Sequence, residues 1–387
     1  MYKRTIAPKL LDYSFRYPVL AVTGPRQSGK TTLCRALFPT LPHVNLESPL
    51  ERDWALSDPV GFLGRHPKGA LLDEVHAAPG LLPAVLEAVC AAGSNRSARY
   101  VLVSSRGLPD YPAALAERTA FADLLPFSLA EAYPDAPPPG LWETLWRGFY
   151  PAVHAHSAPP AETLSFHVLG PLERDARDLL AVRHPDAFFR FLRLAAGRTA
   201  RPVNASNLAA DVGVTPKTAL DWLDLLEACH VIRRLAPWQG RARRRLAKTP
   251  KLHFLDTGLA CALLGIRSPE DLSTHPLRGA LFESFVVAEA WKRLGTGPAA
   301  PPLRHYRDSA LREIDLVFDR PAAPFLVDAK SAETPSTDWL PALAEAAAAF
   351  PAEPPPKLAV VYAADAAGPA PDPRLIPWRQ WPAAIPG

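Results

Sequence analysis

The chain has 387 residues, of which 48% are apolar and 21% charged, and a formal net charge of +4. That length is too great for one ordinary core and implies two or three domains, and that composition excludes a disordered chain. The mild positive charge permits contact with nucleic acid without arguing for it, and no apolar stretch approaches the roughly 18 residues of a membrane span. Cys34, Cys90, Cys229 and Cys261 are far apart, without the spacing of a zinc site, and read as small core residues of a reducing compartment. A cytoplasmic protein with no membrane partner is the expectation.

The first informative run is Pro18-Val19-Leu20-Ala21-Val22, a buried strand by composition, followed by a Gly-rich turn and a helix over Thr31 to Phe38. Further strand candidates are His43 to Leu46, Ala70 to Leu72, Tyr100 to Val103 and Phe121 to Leu125, with a helix over Leu81 to Ala92. Alternation at this spacing predicts a parallel sheet with helices on both faces. A Pro-rich stretch, Tyr133 to Gly140, marks a first boundary. The expected domains are 1–135, a P-loop domain; 136–185, a helical linker or lid with a helix over Leu172 to Arg183; 186–260, a winged-helix module; and 261–387, a second α/β domain.

Gly24, Pro25, Arg26, Gln27, Ser28, Gly29, Lys30 and Thr31 spell GxxxxGK[ST], and Thr32 continues into the helix. Such a loop turns backbone N–H groups toward phosphate oxygens, and the helix N-terminus adds partial positive charge. Lys30 is expected to reach the β- and γ-phosphates, and Thr31 to place a hydroxyl on Mg²⁺. Asp73 and Glu74 end the third strand; Asp73 is expected to hold Mg²⁺ and Glu74 to deprotonate the attacking water. ATP and Mg²⁺ are the implied cofactors. Ser104 or Ser105, at the end of the fourth strand, is placed to meet the γ-phosphate.

In the middle of the chain, helical patterns over Asp186 to Ala196, Asn207 to Val212 and Pro216 to Cys229 precede two strand candidates, Val231 to Leu235 and Lys251 to Leu255. Thr215 is a sensible N-cap and Pro216 suits the first helical turn. Thr215, Lys217 and Thr218 would lead a recognition helix, with Arg241, Arg243, Arg244, Arg245 and Lys248 as a basic wing for DNA phosphates. A lid or packing role suits the same outline.

Further on, a helix over Gly279 to Arg293 carries Glu283 on an apolar face, which requires a partner or ligand. Glu289 has Lys292 and Arg293 at helical spacing and reads as an ordinary ion pair. In the strand Glu313 to Phe318, alternation places Ile314, Leu316 and Phe318 on one face and Asp315 on the other. In the strand Phe325 to Lys330, Asp328 and Lys330 project together, and a hairpin would bring Asp328 beside Asp315. Glu283, Asp315, Asp328 and Lys330 in this order resemble PD-(D/E)xK nucleases, as an active enzyme or as a non-cleaving scaffold. The resemblance implies that Asp315, Asp328 and the Ala329 carbonyl would bind Mg²⁺, with Lys330 beside the attacking water and Glu283 completing the site.

The runs GPRQSGKTTL, LLDEVH and LLPFSLAEAYP, followed by LERDARDL, KLHFLDTGLACALLG, GALFESFVVAEAWK and REIDLVFD, resemble bacterial and archaeal AAA-type ATPases that end in a domain of unknown function. The resemblance covers nearly the whole chain. It implies ATP hydrolysis, often assisted by an arginine of a neighbouring subunit in a homo-oligomer; Arg118, Arg174 and Arg177 are the candidates. The chain departs from the family pattern at His76, where glutamine is common, at Leu102-Val103 before the serines, and at Glu117 before Arg118.

Overall fold

The computed structural model describes residues 2–91, 99–108, 111–155, 158–180, 185–240, 246, 248–295, 301–320, 323–350, 354–365 and 370–386. Two compact units result: residues 1–127 with 228–230 and 295–299, and the remainder of the chain.

The first unit opens with α1 (Ala7–Arg16) and then alternates: β1 (Val19–Thr23), α2 (Lys30–Leu37), β2 (His43–Asn45), α3 (Pro49–Ser57), α4 (Pro59–Gly64), β3 (Ala70–Asp73), α5 (Leu82–Ala91), β4 (Tyr100–Ser104), α6 (Ala113–Ala116) and β5 (Thr119–Asp123). The five strands are parallel in the order β2-β3-β4-β1-β5. Their apolar runs follow from burial on both faces. Leu20, Val22, Leu71, Val101 and Val103 enter one core with Leu10, Leu33 and Cys34. Their strand neighbours Val19, Ala70, Leu72, Tyr100 and Leu102 enter another with Phe62, Leu81 and Val85. Successive side chains thus serve opposite faces, as a pleated strand requires. The last strand begins two residues before the expected Phe121, because Ala120 and Ala122 supply its core face.

The second unit begins with short helices α7 (Leu129–Ala132), α8 (Leu141–Arg147), α9 (Pro151–Ala155) and α10 (Pro160–Leu164); a π-helical turn (Ser165–Leu169) then leads into α11 (Gly170–Leu180). Next come α12 (Pro185–Ala196), β6 (Arg201–Pro202), α13 (Ala205–Val212), α14 (Pro216–Ala228), β7 (Ile232–Leu235) and β8 (Lys251–Phe254), with β8 central in an antiparallel sheet of three. Thr215 Oγ1 accepts the Thr218 N–H at 3.1 Å and caps α14. The expected wing residues Arg241, Arg243, Arg244 and Arg245 lie outside the described residues, and Lys248 is exposed.

The chain continues through α15 (Thr257–Leu264), α16 (Pro269–Thr274), α17 (Arg278–Leu294), β9 (Leu303–Arg307), β10 (Glu313–Phe318), β11 (Phe325–Lys330), α18 (Trp339–Ala347), β12 (Lys357–Tyr362), β13 (Leu375–Pro377) and α19 (Trp381–Ala384). The sheet order is β13-β12-β11-β10-β9; β10 is antiparallel to both neighbours, and β11, β12 and β13 run parallel. The expected alternation in β10 is interrupted. A register shift between Ile314 and Val317 brings both of those residues into one core, and Phe318 stacks on Phe325 beside Trp381. A bulge adds a residue and resets which face the next side chain meets. Glu289 forms the expected ion pair with Lys292, 3.0 Å from its Nζ, but it is buried and also accepts the Leu129 N–H at 3.0 Å. Cys34, Cys229 and Cys261 are buried, whereas Cys90 is exposed on α5. Among the described residues no helix is long and apolar enough to cross a membrane.

Asp256 is a hub of this unit. Buried before α15, it accepts the Leu259 N–H at 2.7 Å as the helix cap and the Phe149 N–H at 2.6 Å from the segment after α8. Replacing it leaves two buried N–H groups without acceptors, each worth about 1–3 kcal/mol. Asp256→Ala is expected to destabilise the protein by about 2–6 kcal/mol, read as a lower urea midpoint with unchanged slope.

Candidate functional site

The P-loop is built from backbone shapes that most residues avoid. Gly24 has φ +148°, and a Cβ there would lie 2.1 Å from the Leu124 carbonyl oxygen. Gly29 has φ +90° and starts α2, whose first N–H groups have no partner within the helix. Gln27 also has a positive φ, +63°. Ser28, Pro25 and Lys30 are buried, Arg26 and Thr31 are partly so, and Gln27 and Thr32 are exposed.

Lys30 Nζ donates to the Pro25 carbonyl at 2.8 Å, inside its own loop. Burial lowers its pKa against the opposing pull of Glu74 and Asp73. Thr31 Oγ1 donates to Asp73 Oδ2 at 2.7 Å; this carboxylate also lies 3.1 Å from His43 Nε2 and accepts the Glu74 N–H at 3.1 Å. A hydroxyl and a carboxylate in contact are hard oxygen donors of the kind a small divalent cation takes.

Glu74 stands at φ +53°, an unusual conformation outside glycine. Its Oε2 accepts the Ser105 N–H at 2.8 Å and lies 3.1 Å from His76 Nδ1; its Oε1 lies 4.0 Å from Arg26 Nη1. Burial would raise this carboxyl, but the His76 hydrogen bond and the charges of Lys30, His76 and Arg26 outweigh it and hold it at about 2. Glu74 is therefore a carboxylate over the whole physiological range. His76 Nδ1 also lies 3.1 Å from Ser104 Oγ, and that hydroxyl donates to the Arg106 carbonyl at 2.6 Å. Among the described residues, the Oγ atoms of Ser105 and Ser28 are buried without a hydrogen-bond partner.

Three contributors escaped the sequence reading. Arg4 Nη1 donates to the Ser28 carbonyl at 2.7 Å and its Nη2 to the Leu125 carbonyl at 2.6 Å, clamping the loop to the segment after β5. His43 braces Asp73, and Glu47 Oε1 receives Arg26 Nη1 at 2.8 Å. Each is far in sequence from the motif, and no local pattern marks it. Of the expected assisting arginines, Arg118 and Arg174 are exposed, and Arg177 pairs with Glu173 one turn earlier on α11.

In the second unit, Glu283, Asp315, Asp328 and Lys330 do come together, around a residue the sequence reading passed over. Lys251 Nζ lies 2.6 Å from Glu313 Oε1, 2.7 Å from Glu283 Oε1 and 3.1 Å from Asp315 Oδ1. Asp315 Oδ2 accepts the Ala329 N–H at 3.0 Å and hydrogen-bonds the Asp328 carboxyl, which lies 2.6 Å from Lys330 Nζ. Burial and the Asp315 charge push Asp328 up to about 8 despite Lys330, while burial is outweighed at Asp315 by Lys251 and Asp328, which hold it low. Burial and Asp315 raise Glu283. The expected Mg²⁺ site from Asp315, Asp328 and the Ala329 carbonyl thus meets an ammonium group instead. Among the described residues no three His, Cys, Asp or Glu side chains are arranged to hold a metal ion. As they stand, these residues do not fit a divalent ion. The alternation Lys251-Leu252-His253-Phe254 in β8 was the available signal, because it aims a lysine and a histidine at one face.

Residues 16–133 match the AAA domain family, residues 139–270 a domain of unknown function (DUF8612) and residues 278–381 another (DUF4143). The chain is 30% identical over 344 residues to the uncharacterized protein Rv2008c of Mycobacterium tuberculosis and equally to the uncharacterized protein Mb2031c of Mycobacterium bovis, covering 86% of this chain and 75% of each relative. The solved Walker-type ATPase PABY2304 of Pyrococcus abyssi is 16% identical with a TM-score of 0.43, covering 68% of this chain and 96% of that one. The chain belongs to the family of these mycobacterial proteins, and its N-terminal part is an AAA-type P-loop ATPase domain.

Proposed function

We propose that the chain binds ATP with Mg²⁺ at Gly24 to Thr32, hydrolyses it with Glu74 as general base, and acts as a nucleotide-dependent switch whose C-terminal part does not cleave nucleic acid. The observation that carries this reading is the Thr31–Asp73 contact at 2.7 Å beside an ionised Glu74. Lys30 exchanges the Pro25 carbonyl for β- and γ-phosphate oxygens when the triphosphate enters. Thr31 and Asp73 are the residues to hold Mg²⁺, which supplies neutralisation of phosphate charge. Glu74 turns from Ser105 and His76 to accept the proton of a water whose oxygen attacks the γ-phosphorus; the bond to the bridging oxygen breaks and ADP departs. Ser105 Oγ, buried without a partner among the described residues, is the better placed of the two serines to meet the γ-phosphate, because Ser104 is committed to Arg106.

The remaining expectations have unequal support. The order α12, β6, α13, α14, β7, β8 supports a winged-helix reading of the middle module, with Thr215 and Lys217 exposed at the start of α14. A DNA contact would rest on that helix. The convergence of Glu283, Asp315, Asp328 and Lys330 supports a nuclease-like ancestry for the C-terminal part. Lys251, which pairs with Glu283 and Asp315 of that set, favours a scaffold over an active nuclease.

Lys30→Ala is expected to abolish nucleotide binding in calorimetry with Mg²⁺. Glu74→Gln should keep binding and lose about a hundredfold or more in phosphate release. Wild-type protein that binds no adenine nucleotide would overturn the reading. Acid titration gives a second check. Glu74 binds its proton at about 2 when folded against an ordinary 4.5, so its contribution is present above 4.5 and is lost as the pH falls toward 2. Denaturant midpoints between pH 4.5 and 2 should therefore fall less steeply for Glu74→Gln than for wild type.

A further inference from the structure

A lysine ammonium has three N–H donors. Lys251 meets three carboxylates, Glu283, Glu313 and Asp315, all within 3.1 Å, so every donor has an acceptor. The side chain is 2% exposed. Its strand β8 lies in the small three-stranded sheet, while the acceptors stand on α17 and β10. A magnesium ion draws oxygens in to about 2.0–2.1 Å and would need the same carboxylates. The ammonium and the ion compete for one place, and the ammonium is tethered to the chain.

A second observation points to the same place. His253 lies two residues along β8 and is fully buried; its Nδ1 is 3.2 Å from Ser284 Oγ. Its Nε2 has no hydrogen-bond partner among the described residues and stands 4.0 Å from Glu283 Oε1. Removal of the lysine would leave this nitrogen facing a carboxylate set without a cation.

We propose that the Lys251 ammonium is a built-in cation that takes the place of a divalent ion among Glu283, Glu313 and Asp315, so that this site excludes metal in the native chain and becomes a divalent-cation site when Lys251 is removed. The inference rests on the non-cleaving reading of the C-terminal part and is independent of ATP turnover. Lys330 is engaged by Asp328 at 2.6 Å, whereas the three carboxylates named here pair with Lys251.

The test uses full-length protein carrying Asp73→Asn, which removes the expected cation ligand of the P-loop. Mn²⁺ is titrated in, and free ion is counted by electron paramagnetic resonance. The expected result is one additional Mn²⁺ per chain in Lys251→Ala, absent with Lys251 in place and lost again when Asp315→Asn is added. Should Lys251→Ala not fold, Lys251→Gln is measured by thermal unfolding. Protection by Mn²⁺ in that variant and none in its parent supports the inference, and equal protection of both overturns it. A Mn²⁺ ion bound in the presence of Lys251 and lost on Asp315→Asn overturns it, as does an unchanged ion count in folded Lys251→Ala. Separately, metal-dependent DNA cleavage by the wild type that Asp315→Asn abolishes would overturn the non-cleaving reading itself.

Discussion

An ammonium group taken out of water must be met by opposite charge or by strong acceptors, or it gives up its proton. Lys30 and Lys251 are both buried, and they are solved in opposite ways. Lys30 is 4% exposed and rests on one backbone carbonyl; burial lowers its affinity for the proton, against Glu74 and Asp73. Lys251 is 2% exposed and meets three carboxylates; burial would lower its pKa, but Asp315, Glu283 and Glu313 outweigh it and raise it. The first ammonium is under-supplied with negative charge and is therefore prepared for an anion that arrives from outside. The second is fully supplied, and an incoming anion has nothing to gain there. The same residue type thus makes a receptive site in one unit and a closed one in the other.

Receptivity at the P-loop also depends on what holds its neighbours still. Asp73 takes the Thr31 hydroxyl, the His43 imidazole and the Glu74 N–H, which fixes both oxygens before any ligand enters. Glu74 is less settled, with positive φ and a carboxylate parked on Ser105 and His76. A carboxylate held by two donors is ionised but occupied, and the proposed role as a base would require it to leave them to take a proton from water. His76 contacts both Glu74 and Ser104, so movement at the end of β4 and movement of the base are joined through one ring.

How far these features were readable depended on whether the chemistry is local. GPRQSGKT is one contiguous run after a buried strand, and its shapes at Gly24 and Gly29 follow from its own glycines, while the positive φ of Gln27 does not. The Asp73-Glu74 pair was legible because the strand before it is apolar. Arg4 was not, since its target carbonyls, Ser28 and Leu125, come together only when β1 and β5 pair. In the C-terminal part, Asp328 and Lys330 were legible from period-2 alternation, and the hairpin correctly brought Asp315 to Asp328. The alternation of Ile314, Leu316 and Phe318 failed because a bulge in β10 is a tertiary accommodation with no residue signature here. Lys251 was passed over for a different reason. Lysine is almost never fully buried, so a strand-leading lysine reads as solvated surface unless its partners, 32 to 64 residues later, are already known.

The Lys251 cluster is better understood as a positional device than as a source of stability. Replacing a buried ion group with well-packed apolar residues is often neutral or stabilising, so its presence needs a reason other than strength. What apolar contact lacks is direction. Glu283, Glu313 and Asp315 approach the ammonium from α17 and two positions of β10, and only one placement of β8 satisfies all three. A displacement of β8 would break the bonds together and leave carboxylates facing one another in a dry interior, which costs far more than sliding one apolar surface on another. A junction of that kind does not yield gradually. It ties the small sheet to α17 and β10 through one buried group.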